Sequence, residues 1–294
     1  MSKKGEERLV YFQTAQAVKW RTLLEVLAPI LVDGNLTFTS KALEIEGVAL
    51  TMWIRVLLDN FEVYENNSKT TIVIGVNFAS LFKMFRNVKQ DDVISLEITS
   101  KSLNAVTPHL ITEIMSNGMT TRGHLFLLDI ERASSAVGPI TFDNILSISS
   151  HQFQSLLRAH SDIGERCQFL CHKDENANLL LIRTPGDSGA ILTCIEAESV
   201  SDFQGDFKSA GKSTDKREFY RLRDLALVAK STNLSTFVTI MLRPDFGLFL
   251  QYNVGTLGTV TYSHAALVAE SDFSLAEIDI EANKVYLKER KAQQ

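Results

Sequence analysis

One serine in this sequence has the setting of a nucleophile. Ser188 lies within Gly186-Asp187-Ser188-Gly189. Hydrolysis by a serine also requires a histidine that accepts the hydroxyl proton and an acid that orients this histidine. The nearest upstream histidine, His160, falls on the apolar side of a predicted helix, where a packed core histidine is the simpler interpretation. A tight turn between two strands explains Asp-Ser-Gly equally well, so a hydrolase using Ser188 is the less favoured alternative.

Other groups of reactive residues lack either the spacing or the partners that chemistry needs. Ser80 and Lys83 fit an S-x-x-K pattern, but the sequence has neither the S-D-N nor the K-T-G motif of penicillin-recognising enzymes. Cys167, Cys171 and His172 do not have the spacing of a zinc finger, and small packed side chains are the simpler interpretation of the two cysteines. The sequence therefore predicts a binding protein, with no catalytic residues, no metal and no cofactor.

The composition is that of a globular protein with an acidic balance. The chain has 294 residues, of which 45% are hydrophobic, and its net charge is -5. This length is typical of two domains. The apolar stretches are shorter than the roughly 18 residues that a membrane-spanning helix needs, so we expect no membrane partner. The three cysteines and the lack of an export signal favour a reducing compartment. The acidic balance excludes a protein that coats nucleic acid with its whole surface, but it allows one basic face.

The order of predicted elements repeats once along the chain. Four segments have the period of an amphipathic helix, 16–31, 77–88, 151–163 and 219–231, and short strands rich in β-branched and aromatic residues separate them. A Ser/Ala/Gly/Pro stretch, RASSAVGPI at 132–140, divides the series into two similar α+β halves. The sequence therefore predicts an N-terminal domain at 1–131, a connector at 132–140, a C-terminal domain at 141–267 and an extension at 268–294 whose role the pattern does not specify.

Each predicted helix carries a cation opposite its apolar side. Charged solvent-exposed faces are common in helices, so the pattern alone favours an ordinary solvated surface. The alternative is that the four faces line one surface that contacts DNA phosphates without reading bases. These faces have no interleaved aromatic residues, so base stacking is not expected. The candidate DNA-binding residues are Arg21, Lys83, Arg86, Arg158, Arg223 and Lys230.

Several stretches, in the same order along the chain, resemble the sliding clamp of eukaryotes and their viruses, the proliferating cell nuclear antigen (PCNA) family. They are LEVL at 24–27, FEVY at 61–64, IGVNFASLFK at 74–83, DDVISL at 91–96, LLDIE at 127–131, SDIG at 161–164 and AKSTNL at 229–234. The resemblance implies an α+β subunit of two similar clamp domains, each with antiparallel sheets and two helices, joined by an interdomain connector. It also implies a ring in which helices face duplex DNA, and a processivity factor that is not an enzyme.

The resemblance also assigns residues to sites. The six cations fall where the family has basic pore residues, although Ser155 stands where the family usually has a further arginine. Lys173 falls at the lysine that accepts ubiquitin, so it is a modification candidate. Gly247, Ser263 and Ala266 replace a proline, a tyrosine and a proline of the family. The implied groove for partner peptides contains Val48, Val137, Ile140, Gly247, Ser263, Ala265 and Ala266.

The partners implied are double-stranded DNA, a DNA polymerase, a clamp loader, other replication and repair proteins with clamp-binding peptides, and two further copies of the chain in a homotrimer. The expected location is the nucleus or a viral replication site in a host cell. The edges that pair between subunits are expected near 122–127 and 179–183. A monomeric clamp-like processivity factor and a subunit of a heterotrimeric checkpoint ring are the alternatives within the same class of protein.

Overall fold

A computed structural model of the protein describes residues 7–49, 51–68, 70–131, 140–142, 144–173, 178–196, 218–243 and 247–268. None of the helices in these ranges is long and apolar enough to cross a membrane. The helices are α1 Ala17–Leu27, α2 Phe78–Phe85, α3 Ser100–Leu103, α4 Ser150–Ser161 and α5 Leu222–Val228, and α5 continues into a 3₁₀ helix, Ala229–Asn233.

Strands make up most of the remaining described chain. They are β1 Arg8–Thr14, β2 Asp33–Phe38, β3 Leu43–Ala49, β4 Met52–Leu58, β5 Val63–Asn66, β6 Ile72–Asn77, β7 Val93–Thr99, β8 His109–Ser116, β9 Met119–Phe126, β10 Asn144–Ser149, β11 Arg166–Lys173, β12 Asn178–Gly186, β13 Gly189–Glu196, β14 Glu218–Arg221, β15 Phe237–Arg243, β16 Gly247–Asn253, β17 Gly258–His264 and β18 Leu267–Val268.

The strands form a large central sheet and two flanking sheets. The central sheet has the order β10-β15-β16-β17-β4-β3-β2-β6 and takes strands from both halves of the chain. The flanking sheets have the orders β5-β1-β7-β8-β9, from the first half, and β13-β12-β11-β14-β18, from the second. The two halves meet where β17 pairs antiparallel with β4, from Gly258 opposite Leu58 to His264 opposite Met52.

The helices cover one face of the sheets. Strand residues alternate between buried and partly exposed, because successive side chains point to opposite faces. Trp20 of α1 is fully buried and makes edge-to-face ring contacts with Phe12 at 5.5 Å and Phe85 at 6.1 Å. Helix α1 contacts α2 on one side and the 3₁₀ helix on the other, and α4 contacts α5 and the 3₁₀ helix. The helices α1, α2, α4 and α5 with the 3₁₀ helix therefore form one continuous layer, here called the helix layer.

The predicted α+β fold class with antiparallel sheets is confirmed, and all four predicted helices form. The start of the fourth is different: the predicted helix at 219–231 begins at Leu222, because the residues before it pair as β14 with Arg166 and Cys167 of β11. The first predicted helix, 16–31, ends at Leu27. The connector at 132–140 lies outside the described residues except for Ile140, and so does the extension from residue 269 onward.

One expected subunit edge is wrong. The segment 179–183 belongs to β12, which pairs with β11 on one side and with β13 on the other. Within the described residues, the edge strands of this sheet are β13 and β18, and those of the sheet from the first half are β5 and β9, the strand that contains most of the expected segment 122–127. Strand order is set by contacts between distant segments, so the composition of β12 could not show that it is internal.

A buried polar cluster joins the two halves behind α5. Asp224, in the first turn of α5, accepts a hydrogen bond of 2.6 Å from the hydroxyl of Thr51, which lies between β3 and β4. The carbonyl of Thr51 accepts one of 3.0 Å from the backbone N–H of Ala265. His264 is only 1% exposed, and its Nε2 has no hydrogen-bond partner within the described chain. Burial lowers the pKa of His264 to about 4, although the charge of Asp224 opposes this shift.

We expect the protein to lose stability as the pH falls from 6.5 towards 4. The unfolded chain takes up a proton at His264 near its ordinary pKa of 6.5, whereas the folded protein keeps the buried ring neutral until about pH 4. The free energy of unfolding should fall by about 3 kcal/mol from this group alone. Urea unfolding at a series of pH values measures it. The His264→Asn variant should have a flatter profile, and a variant of the exposed His151 should keep the slope of the natural protein.

Candidate nucleic-acid interface

The first two helices present cations because their apolar faces are fixed against the sheets. Helix α2 begins at Asn77, whose side chain accepts a hydrogen bond of 2.9 Å from the backbone N–H of Ser80 and caps the helix. Phe78, Leu81 and Phe85 are buried on the sheet side. The spacing of an α-helix then turns Lys83 and Arg86 to the opposite side, where both are exposed.

The second half of the chain repeats this arrangement. Phe153 and Leu157 of α4 are buried, and Arg158 is exposed. Leu222 and Leu225 of α5 are buried. Two further cations are exposed on α5 and on the 3₁₀ helix that follows it: Arg223 and Lys230.

The helix layer therefore carries five exposed cations, here called the five free cations: Lys83, Arg86, Arg158, Arg223 and Lys230. Within the described ranges, none of them forms an ion pair or a hydrogen bond with the protein. The helices that bear them contain one carboxylate, Asp224, which is buried and bonded to Thr51. Helix α1 of the same layer adds one exposed carboxylate, Glu25, so the layer as a whole is basic on a chain whose net charge is -5. Such a surface attracts a polyanion by charge and releases its counterions.

Arg21, the sixth predicted cation, has a different environment. It is half-buried in α1, and its Nη1 donates a hydrogen bond of 3.0 Å to the carbonyl of Val88, just after α2. Arg21 therefore joins two helices of the layer. The spacing of cations along the helix could not distinguish it from the others, because Val88 is distant in sequence.

Sequence reasoning missed Lys19, whose ammonium group joins the two halves of the helix layer. Its Nζ donates hydrogen bonds to the carbonyls of Leu234 at 2.9 Å and Asn233 at 3.5 Å, at the end of the 3₁₀ helix. A cation at this position stabilises a helix C-terminus. No sequence signal could have identified the contact, since the partners come from opposite halves of the chain.

The outer face of the central sheet holds the residues implied for a peptide groove. The strand register aligns Val48, Trp53, Ser263 and Phe249 in one row across β3, β4, β17 and β16. Val48 is 69% exposed, and Phe142 stacks edge-to-face on Phe249 at 4.8 Å. This apolar row is here called the outer row. Sequence reasoning missed its two aromatic members, Trp53 and Phe249, because only the strand register shows that they are neighbours.

The remaining groove candidates lie beside the end of the outer row. Ala265 is exposed, Ala266 is half-buried, and Gly247 begins the neighbouring β16. Ile140 is half-buried, and Val137 lies outside the described residues. The side chain of Lys173, at the end of β11, is also outside them, so Lys173 remains a modification candidate on sequence grounds alone.

Gly247 has a backbone conformation that explains why the proline of the family is replaced here. Its φ is 99°, a value that proline cannot adopt. A Cβ atom at this position would also collide with the carbonyl oxygen of His264 on β17.

We expect Gly247→Pro to destabilise the protein by roughly 1–3 kcal/mol, because the fixed ring would have to distort the start of β16. Thermal unfolding measures the effect. Gly189→Ala is a matched control, since a Cβ there meets no atom within 4 Å. A Gly247→Pro variant as stable as the natural protein would contradict the backbone conformation described.

His160, the histidine considered as a base for Ser188, is engaged elsewhere. His160 is fully buried, and its two ring nitrogens hydrogen-bond the hydroxyls of Thr184 at 2.8 Å and Thr193 at 2.9 Å. Burial lowers the pKa of His160 as well. The described residues contain no group of three or more His, Cys, Asp or Glu side chains that could hold a metal ion. The geometry gives no support to the hydrolase alternative.

Comparison with solved structures defines the class of protein first. The fold matches that of a crystal structure of the proliferating cellular nuclear antigen of Entamoeba histolytica. The TM-score is 0.73, with 17% sequence identity, and the match covers 88% of this chain and 99% of that chain. Two similar α+β halves, with helices on one face and strands on the other, thus have the clamp fold.

Sequence comparison then gives the family. Residues 137–267 match the family model for the proliferating cell nuclear antigen, C-terminal domain. The probable DNA polymerase sliding clamp 1 of Paramecium bursaria Chlorella virus 1 is 24% identical over 274 residues, 89% of this chain and 98% of that protein. The proliferating cell nuclear antigen of Dictyostelium discoideum is 22% identical over 249 residues, 83% of this chain and 93% of that protein. Residues 137–267 thus match the PCNA C-terminal domain, and the chain as a whole is similar to sliding clamps of the PCNA family over most of its length.

Proposed function

We propose that the protein is a DNA polymerase processivity factor, a ring of three subunits that encircles duplex DNA without sequence specificity. The observation that carries this proposal is the continuous helix layer with its five free cations, on a chain of net charge -5. Such a layer suits a mobile duplex, because phosphate contacts hold DNA without reading its sequence. The ring would act without catalysis, in the nucleus or at a viral replication site, and would tether the polymerase and other replication proteins.

The ring contact is proposed to join β9 of one subunit to β13 of the next. Each has eight residues and, within the described chain, is paired along one side only. Free strand edges of this length readily pair with another chain. The two edges come from opposite halves of the subunit, so the contact is head-to-tail and closes into a ring by rotation.

The outer row is proposed as the surface for partner peptides, including those of the polymerase and the clamp loader. Trp53 and the neighbouring Phe142 are half-buried and offer apolar contacts, whereas Phe249 is buried, and an extended peptide would add backbone hydrogen bonds. Gly247 and Ser263 are smaller than the residues of the family at these positions, so the preferred peptide is expected to differ. The connector at 132–140 would border this groove and separate the domains 1–131 and 141–267.

A threading experiment without a clamp loader tests the encircling function. The protein is mixed with a fluorescent linear duplex whose ends are left open, blocked with streptavidin before the protein is added, or blocked after it is added. The amount of DNA that stays bound is then measured after a challenge with high salt. An encircling ring should be retained only on DNA that was blocked after the protein was added. Equal retention on DNA blocked beforehand would contradict encirclement.

The mass in solution separates the ring from the monomeric alternative. Sedimentation should give three times the chain mass of 32.8 kDa. A single-chain mass at all concentrations would favour the monomeric clamp-like factor, and a requirement for two other chains would favour a heterotrimeric ring.

A further inference from the structure

An unusually exposed aromatic residue ends the free edge β9. Phe126 is 64% exposed, and it lies opposite His109 of β8 on the face of the sheet away from the helices. The same face of β9 carries His124 and Arg122, and the strand contains no carboxylate. Large apolar side chains at an exposed edge are uncommon in a subunit that stays alone, since they promote association.

A cavity of about 570 Å³ lies at the other free edge, beside the turn between β12 and β13. Its apolar lining comes from Ile163, Pro185 and Phe219, and Ile163 is 42% exposed. The loop after α4 packs closely on the turn, since a Cβ on Gly186 would collide with the carbonyl oxygen of Ile163. The turn and the loop that form the walls of the cavity are therefore held together by close backbone contact.

Strand direction brings the cavity and Phe126 together. All strand pairs in the described sheets are antiparallel, so we take the contact between subunits to be antiparallel too. In an antiparallel pair the last residue of β9, Phe126, meets the first residue of the neighbour's β13, Gly189. Gly189 is adjacent to the turn that borders the cavity.

The rim of the cavity is acidic, and the strand β9 brings one cation to it. The lining of the cavity includes the exposed carboxylates of Asp162, Glu165 and Asp187, against one guanidinium, that of Arg166. The approaching strand β9 carries one cation, Arg122, and no acid, and Arg122 also pairs with Glu97 and Glu113 of its own subunit. Opposite charges across an interface favour the correct orientation and suppress the wrong one.

We propose that Phe126 of one subunit inserts into this cavity of the next subunit, so that an aromatic plug closes each seam of the ring. The inference rests on the ring proposed above and goes beyond it by naming the side chain and the cavity that fix the seam. In protein interfaces, an aromatic side chain buried in a pocket is often the residue whose replacement weakens binding most.

The test is the dissociation of the trimer, measured by sedimentation over a range of concentrations. Phe126→Ala should raise the concentration at which half of the trimer has dissociated by about tenfold or more. Ile163→Ala should act in the same direction. The two effects should be less than additive in the double variant, because the side chains touch. Val106→Ala, at a fully exposed residue before β8, is the matched control and should leave dissociation unchanged.

The outcomes separate the plug from the ring. A natural protein that is monomeric at every concentration would overturn both. A stable trimer that Phe126→Ala does not weaken would overturn the insertion of Phe126 but not the ring. The same result is expected if the cavity binds a side chain of another protein. Strictly additive effects of Phe126→Ala and Ile163→Ala would show that Phe126 contacts a different surface. Phe126 is exposed in the subunit, so at concentrations at which both proteins are monomers the variant should unfold at the same temperature as the natural protein.

Discussion

A variant in which Lys83, Arg86 and Lys230 are all replaced by alanine should lose most processive DNA synthesis while remaining a trimer. These three cations are exposed on the helix layer and have no protein partner within the described residues. Each contact to a mobile duplex is worth on the order of 1 kcal/mol or less, so a single replacement should have little effect. The triple replacement removes three cations from every subunit, so it also lowers the dependence of binding on salt.

The measurement is the length of product made by the polymerase on a long primed template over a series of salt concentrations. The matched control replaces three exposed cations outside the helix layer, Lys41, Arg55 and Lys101, and should leave product length unchanged. Full activity of the helix-layer variant in the same salt series would show that these helices do not face DNA.

Replacing Leu192 with glutamate should convert the protein to monomers that keep their fold. Leu192 is half-buried near the middle of β13, the free edge proposed to pair with β9 of the next subunit. An unpaired charge buried in the contact between subunits costs several kcal/mol. Most of the other contacts there contribute less than this cost. In the separate subunit the same side chain can reach water, so folding should be little affected. Sedimentation gives the mass, and circular dichroism reports the fold.

Two further variants serve as controls for Leu192→Glu. Phe237→Glu introduces the same charge at a residue of β15 that is 49% exposed and belongs to the central sheet, so it should leave the trimer intact. Leu181→Glu should instead unfold the protein, since Leu181 of β12 is only 4% exposed. A Leu192→Glu protein that remains trimeric would remove β13 from the seam.

Much of the helix layer was predictable from the sequence because helical period is a local property. The stripe of Phe78, Leu81 and Phe85 already places Lys83 and Arg86 on the opposite side, and the structure agrees. The strand β14 was not predictable in the same way. Its residues merge with the helical pattern that follows, and only pairing with β11 makes them extended.

The parts of the candidate sites that escaped prediction depend on contacts between distant segments. The order of strands in a sheet decides that β13, and not β12, lies at an edge. The outer row includes Trp53 because β4 pairs with β17, a strand about 200 residues later in the chain. In the same way, local patterns could not show that Arg21 bonds to Val88.

The pairing of β17 with β4 has a mechanical consequence for a ring of this kind. Because one sheet runs through both halves of the chain, the halves cannot hinge against each other without breaking a ladder of seven residue pairs. Each subunit is then a rigid arc. A ring that must open to admit a closed DNA molecule would part at a seam between arcs, so the force needed to open it would be set by one edge-to-edge contact.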